Sequence, residues 1–200
     1  MAQRIFVAEK DDHDKIQMPL VTRENVEPTS IEPHATDTVN LRLPLGVRLT
    51  GGDKLRAEGL TGKGVRVAVI DSGVDANHPG FKGQVKQQLW YRHGTPLSED
   101  DHGTHVGGTI HMLAPEADIY DYRVFGETGW SVDRAIERAI MQAVDDGCQI
   151  INMSLGGPRQ NNSISRAISA AHSKGVLMIV AAGNGGDNNP LTNELRYDSI

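Results

Sequence analysis

Residues 65–71 read VRVAVID, a β-branched apolar run closed by a carboxylate. Seven residues are short for a buried helix, and Val and Ile, stiff at χ1, suit a pleated strand. Because the apolar residues are nearly continuous rather than alternating, the run predicts a strand covered on both faces. Runs of the same kind recur outward along the chain: DIYDYRVF at 118–125, QIINMSLG at 149–156 and VLMIVAAG at 176–183. Helical signals separate them. HGTHVGGTIHML (102–113) is small and helix-compatible. In SVDRAIERAIMQAVDDG (131–147), Ser131 is available as N-cap and Asp133 falls in the first turn. Ile136, Ile140 and Val144 recur every four residues, and Gly147 stands at the C-cap. A further helix is expected from about Ser163 to Ser173, closed by Gly175, and a short one within GGDKLRAEGLTGKG (51–64). Strand, helix, strand, helix, strand requires right-handed crossovers. The expected fold is therefore α/β: a doubly wound, mostly parallel sheet with helices on both faces.

Residues 1–45 do not share this pattern. They hold Pro19, Pro28, Pro33 and Pro44 and eight acids against five bases, with no sustained period. They are expected to form an N-terminal arm, leaving 46–200 as the folded domain. Composition removes several classes. A net charge of −6 argues against a nucleic-acid partner, which needs concentrated Lys and Arg. The single Cys148 rules out an internal disulfide framework and a cysteine-based zinc cluster. No apolar run approaches the ~18 residues of a membrane span, and MAQRIFVAEKDDHD meets charge too soon for a signal-peptide core. The expected location is the cytoplasm.

In an open parallel sheet, ligands gather where the strands' carboxyl ends emerge. VAVID ends in Asp71, INMSLGG at Ser154 and its glycines, and IVAAGN in Asn184, while His102 begins a helix facing the same edge. Each has an ordinary reading alone: a loop starter, a helix cap, a turn. Their convergence on one edge is what makes a carboxylate, an imidazole and a side-chain amide a candidate site. The glycines of GTHVGG let backbone come close beside His102.

VAVIDSGVDANHPGF, DDHGTHVGGTI, INMSLGGP and VAAGNGG resemble, in order, the successive signatures of the subtilisin-type serine proteases, the subtilases. Asp71 and His102 stand 31 positions apart, and the likeness covers roughly residues 41–200. The intracellular subtilisins are the most similar branch. RLPLGVRLTGGDKLRAEGLTGKG and GNGGDNNPLTNELRY resemble segments of theirs, and KIQMPLVTRE in the arm is similar to the extension those enzymes lay over their own cleft. The resemblance implies that Asp71 orients His102, that His102 is general base and then acid, and that Asn184 donates to the oxyanion. It further implies that Ser154, Leu155, Gly156 and Gly157 offer backbone to a peptide substrate lying as a strand, with Gly129 and Trp130 as the opposite edge.

Two departures from the family stand out. Its nucleophile motif GTSMAxP is nowhere in the 200 residues. The expected fold is thus C-terminally incomplete, and this chain alone is expected to be inactive. Ser154 lacks an elbow context, Ser163, Ser165, Ser169 and Ser173 fall on a helix, and Cys148 reads as a packed apolar residue. Secreted subtilisins also build a calcium site from an HPD aspartate and a loop inside the helix after the catalytic His. Here Gly80 holds the first position and only HisMetLeu (111–113) the second, so that site is expected to be missing, other calcium sites remaining open.

Rival readings differ in class. Asp100, Asp101, His102 and His105 could ligate a metal in a hydrolase, but HGTH lacks the Glu of H-E-x-x-H and its spacing. IVAAGNGGDNN fails the dinucleotide fingerprint in its third glycine and its following helix. A non-catalytic or truncated subtilase-like protein, or one half of a split enzyme, leaves VLMIVAAG as an exposed apolar edge that seeks itself or a complementing C-terminal half. Protein or peptide substrates, and neither nucleic acid nor membrane, are the expected partners.

Overall fold

The structure is a computed structural model, and it describes residues 15–17, 45–91, 101–126, 130–156 and 161–181, with backbone alone at 15–17, 45, 90, 130 and 132. Elements follow in the order β1 (Lys15–Gln17), α1 (Leu45–Leu49), α2 (Gly52–Ala57), β2 (Arg66–Asp71), a 3₁₀ turn (Pro79–Phe81), β3 (Val85–Trp90), α3 (His102–Leu113), β4 (Asp118–Arg123), β5 (Trp130–Val132), α4 (Asp133–Asp145), β6 (Ile150–Met153), α5 (Asn162–Ser173) and β7 (Leu177–Val180). Five strands form one sheet in the order β3-β4-β2-β6-β7, and every pairing in it is parallel. A separate two-stranded ladder joins β1 to β5.

The VRVAVID run takes the central place, flanked by β4 and β6. Val67 through Asp71 are all buried, as a doubly covered strand requires. Side chains alternate between the faces. Ala68 and Ile70 join the core under α4 and α5, which also holds Tyr122, Ile136, Ile140, Ile151 and Ala171. Val69 joins the opposite cluster with Val74, Phe81 and Ile119, against which Val106 and Ile110 of α3 pack. Each buried Ile or Val in these clusters contributes about 1.5–3 kcal/mol. The helices thus cover both faces, and Asp71, two residues beyond Val69, projects on the α3 side.

The helix ends follow the turn chemistry. Asn161 caps α5, its Oδ1 accepting from the Ser163 and Ile164 amides. Gly147 and Gly175 adopt φ of +72° and +82° after α4 and α5, where a side chain would be strained. One expected cap is corrected. Ser131 does not start α4 but lies in β5 and is buried, the helix opening two residues later at Asp133. Pairing with β1 draws 130–132 into a ladder and overrides the local capping preference. Strand β3 and helix α1 carried no clear sequence signal: VKQQLW is half polar because it is an edge strand.

On β7, Met178 and Val180 pack onto the α4–α5 core, while Leu177 and Ile179 are 54% and 46% exposed. Among the described residues β7 is the outermost strand on its side of the sheet, and Leu177 and Ile179 give it an apolar exposed face. Among the described residues no helix is long and apolar enough to cross a membrane.

Candidate active site

β2 ends at the point where the sheet order switches sides. In chain order the sheet grows to β3 and β4 on one side of it and then to β6 and β7 on the other, the arrangement at whose strand ends ligands gather in open parallel sheets. Asp71 is completely buried. Its Oδ1 accepts from the Ser72 amide at 2.7 Å and lies 2.7 Å from Nδ1 of His102. A carboxylate only accepts, so the tautomer that satisfies this contact carries its proton on Nδ1 and leaves Nε2 as the acceptor nitrogen of the ring. His102 is 6% exposed, the first residue of α3. Asp71 Oδ2 has no hydrogen-bond partner among the described residues.

Helix α3 is seated on the turn after β2 by two contacts. The Gly103 amide donates to Ser72 Oγ at 2.9 Å, and the Asp75 amide donates to Thr104 Oγ1 at 2.9 Å. Gly103 also lies so close to the Gly73 peptide that a Cβ there would stand 2.4 Å from the Gly73 carbonyl oxygen. The glycine next to His102 therefore has a definite purpose: it lets the helix descend until the imidazole meets the carboxylate.

Such a buried Asp–His pair, at the carboxyl edge of a parallel sheet and on a glycine-seated helix, accompanies a match of the Subtilase family profile to residues 62–199. The chain belongs to the subtilase family. Subtilisin DY of Bacillus licheniformis is 33% identical over 172 residues, 79% of this chain and 62% of its own length. The major intracellular serine protease of Bacillus subtilis (strain 168) is 36% identical over 177 residues, 78% of this chain and 54% of its own. The crystal structure of a lanthipeptide protease superposes with a TM-score of 0.60 at 32% identity, covering 70% of this chain and 45% of that one. The chain spans about half the length of the curated relatives it matches.

Within this subtilase, the structure brings together Asp71 and His102 of the expected site. Ser154 follows β6 at the same edge, its Oγ accepting from Asn152 Nδ2 at 3.1 Å, and Gly156 enters a β-bridge. The Leu155 side chain is buried in the core under α4 and α5, so only its backbone is available to a ligand. Trp130 lies in β5, paired with Gln17 of the arm. Gly129, Gly157 and Asn184 lie outside the described residues.

The serines expected to be bystanders are occupied locally. Ser163, Ser165, Ser169 and Ser173 all donate to acceptors at the cap or along α5. Cys148 is buried, and burial first of all pushes its thiol up to about 11, far from a thiolate at neutral pH. His105, a ligand in the metal reading, is exposed, and among the described residues no three His, Cys, Asp or Glu side chains are grouped to hold a metal.

Sequence reasoning passed over Ser72, whose amide and hydroxyl bracket the pair, and Arg123. Arg123 is 1% exposed and sits directly across the parallel ladder from Asp71. The alternation of DIYDYR, combined with a parallel register, would have placed it on the Asp71 face. At the far end of α3, His111 is buried beside Phe81, and its Nδ1 has no hydrogen-bond partner among the described residues. Burial, then the Lys82 and Arg56 charges, holds its pKa below the usual imidazole value.

Proposed function

We propose that this chain forms the Asp- and His-bearing part of a subtilisin-type serine endopeptidase. The 2.7 Å contact between Asp71 Oδ1 and His102 Nδ1, buried at the sheet edge, is the observation that carries the reading. Asp71 fixes the Nδ1–H tautomer and stabilises the imidazolium. His102 Nε2 takes the proton of a serine hydroxyl and returns it to the leaving amine. That serine comes from polypeptide beyond these 200 residues, which lack the GTSMAxP motif. Asn184 supplies the oxyanion donor, a group whose removal in such enzymes costs about 10²–10³ in rate. A peptide substrate adds as a strand between the Ser154–Gly157 segment and the Gly129–Trp130 edge.

The N-terminal arm is the autoinhibitory segment in this reading. Its support is the antiparallel pairing of Lys15, Ile16 and Gln17 with Val132, Ser131 and Trp130, which occupies the edge a substrate would need. The cytoplasm is the proposed location, in keeping with the intracellular relative. The residues do not fit the calcium site of secreted subtilisins: Gly80 offers no carboxylate, and α3 runs unbroken from His102 to Leu113. Arg56 instead donates to the Met112 carbonyl at 2.5 Å, placing a cation at the helix C-terminus.

The test joins the chain to the remaining part of a subtilase catalytic domain and measures peptide hydrolysis and fluorophosphonate labelling. Hydrolysis should fall at least 10³-fold in His102→Ala and in Asp71→Asn. Full activity without His102 would overturn the assignment. Labelling of the 200-residue chain alone would reveal a nucleophile within it and overturn the placement of the serine elsewhere.

A further inference from the structure

Arg123 heads the fully buried side chains by size among the described residues. Its guanidinium stays charged at any pH the protein meets, so its burial is costly unless its donors are used and its position serves a purpose. Nε donates to the Phe125 carbonyl at 3.0 Å, which folds the head back along its own chain. The stem runs elsewhere. Arg123 is the register partner of Asp71 in the parallel β2–β4 ladder, so the two side chains leave the same face, the one covered by α3.

Gly73, two residues after Asp71, adopts φ +107°, and a Cβ built on it would stand 3.2 Å from Cδ and 3.5 Å from Cγ of Arg123. The aliphatic stem therefore packs on the Gly73 turn. The Gly73 peptide in turn carries Gly103, the residue after His102. A continuous stack runs from the Arg123 stem through Gly73 to Gly103 and the first turn of α3.

We propose that Arg123 is a positioning residue: its stem sets the height of the Gly73 turn, and through Gly103 it sets the distance between His102 Nδ1 and Asp71 Oδ1. The consequence for catalysis rests on the function proposed above, but the geometric relationship does not. Stem length, not charge, is the operative property, because the atoms nearest to a Cβ built on Gly73 are Cδ and Cγ of Arg123, with its own Cβ farther off at 3.7 Å.

The experiment uses the full 200-residue chain labelled with ¹⁵N-histidine. The Nδ1 proton held by Asp71 gives a far-downfield resonance, assigned by its disappearance in His102→Gln. Arg123→Ala should lose that resonance under conditions where circular dichroism shows the variant folded. Arg123→Lys and Arg123→Met, which keep a straight stem, should retain it. Retention in the alanine variant overturns the proposal. Loss in the methionine or the lysine variant also overturns it, since charge or the Phe125 bond would then be the operative feature. If the alanine variant does not fold, the lysine and methionine variants decide: retention in both supports the stem, and loss in either overturns it. The readout needs no nucleophile and no hydrolysis, so a failure of the protease reading leaves it intact.

Discussion

Gly103 rests on the backbone of Gly73 at a separation that admits no side chain, a Cβ being placed 2.4 Å from the Gly73 oxygen. The clash would be with backbone rather than a flexible side-chain tip, so the helix itself must move. In most helices Gly→Ala gains up to about 1 kcal/mol of propensity. Here overpacking reverses the sign. Gly103→Ala is expected to destabilise by about 1–3 kcal/mol net, and to weaken the His102–Asp71 hydrogen bond. Urea denaturation and the His102 Nδ1 proton resonance check both. A variant as stable as the parent, with the resonance intact, would refute the close seating.

His111 makes stability depend on pH in a definite direction. Its native pKa lies below the ordinary value of about 6.5, chiefly through burial, so the unfolded chain binds the proton first on acidification. The contribution is therefore present above about pH 6.5 and is lost progressively as pH falls below it. Thermal melts of the parent and His111→Gln between pH 7.5 and 5 should diverge, the parent losing more on the acid side. Parallel curves would remove His111 as the cause.

The cation at the C-terminal end of α3 should make that end indifferent to calcium. Arg56→Ala removes a charged donor from the Met112 carbonyl and is expected to cost about 1 kcal/mol, the residue being only partly buried. Chelation is expected to leave the parent melting temperature unchanged. A drop on adding chelator, restored by calcium, would show that this chain uses an ion its Gly80 and unbroken helix do not provide for.

Much of this was legible in the chain because period and punctuation agreed with tertiary need. VRVAVID became the central strand, and the Ile136–Ile140 stripe faced the core, since burial on both faces writes itself into composition. That Asp71 and His102 would meet was legible because strand ends and helix starts share one edge of a parallel sheet. The misses have a common origin in long-range pairing. Ser131 left its capping role because a segment more than a hundred residues earlier made 130–132 a strand. Arg123 went unnoticed because a charged residue in a strand reads as solvent-facing until the register sets it beside Asp71. The Leu155 side chain packs inward because strand alternation continues past β6, which leaves its backbone, the part expected to meet a substrate, at the edge.

The β1–β5 ladder makes the arm separable from the domain it touches. A ladder of only three residue pairs is short enough to come apart, as the proposed autoinhibition requires. In the protein completed with its serine-bearing part, deleting residues 1–40 is expected to raise hydrolysis of a peptide substrate. Ile16→Pro, at the centre of the ladder, disfavours pairing and should raise it partway. Unchanged rates in both would separate the ladder from any inhibitory role.

The last relationship concerns what β7 lacks. Its inner residues Met178 and Val180 are packed on the α4–α5 side, but Leu177 and Ile179 are half exposed on the opposite face, where α3 packs against the Val69 cluster of β2. The aligned residues are only 54% and 44% of two relatives' own length, and in the proposed reading their additional polypeptide is what covers such a face. Without it, two adjacent apolar side chains and a strand edge favour self-association. Sedimentation velocity at rising concentration is expected to show oligomers for the parent. Leu177→Lys with Ile179→Lys should shift them toward monomer without lowering the melting temperature, because neither side chain is in the core. The same double variant should bind a complementing C-terminal half at least tenfold more weakly. A parent that stays monomeric and melts in one cooperative transition would refute the association, and full complementation by the double variant would show that the partner docks on another face.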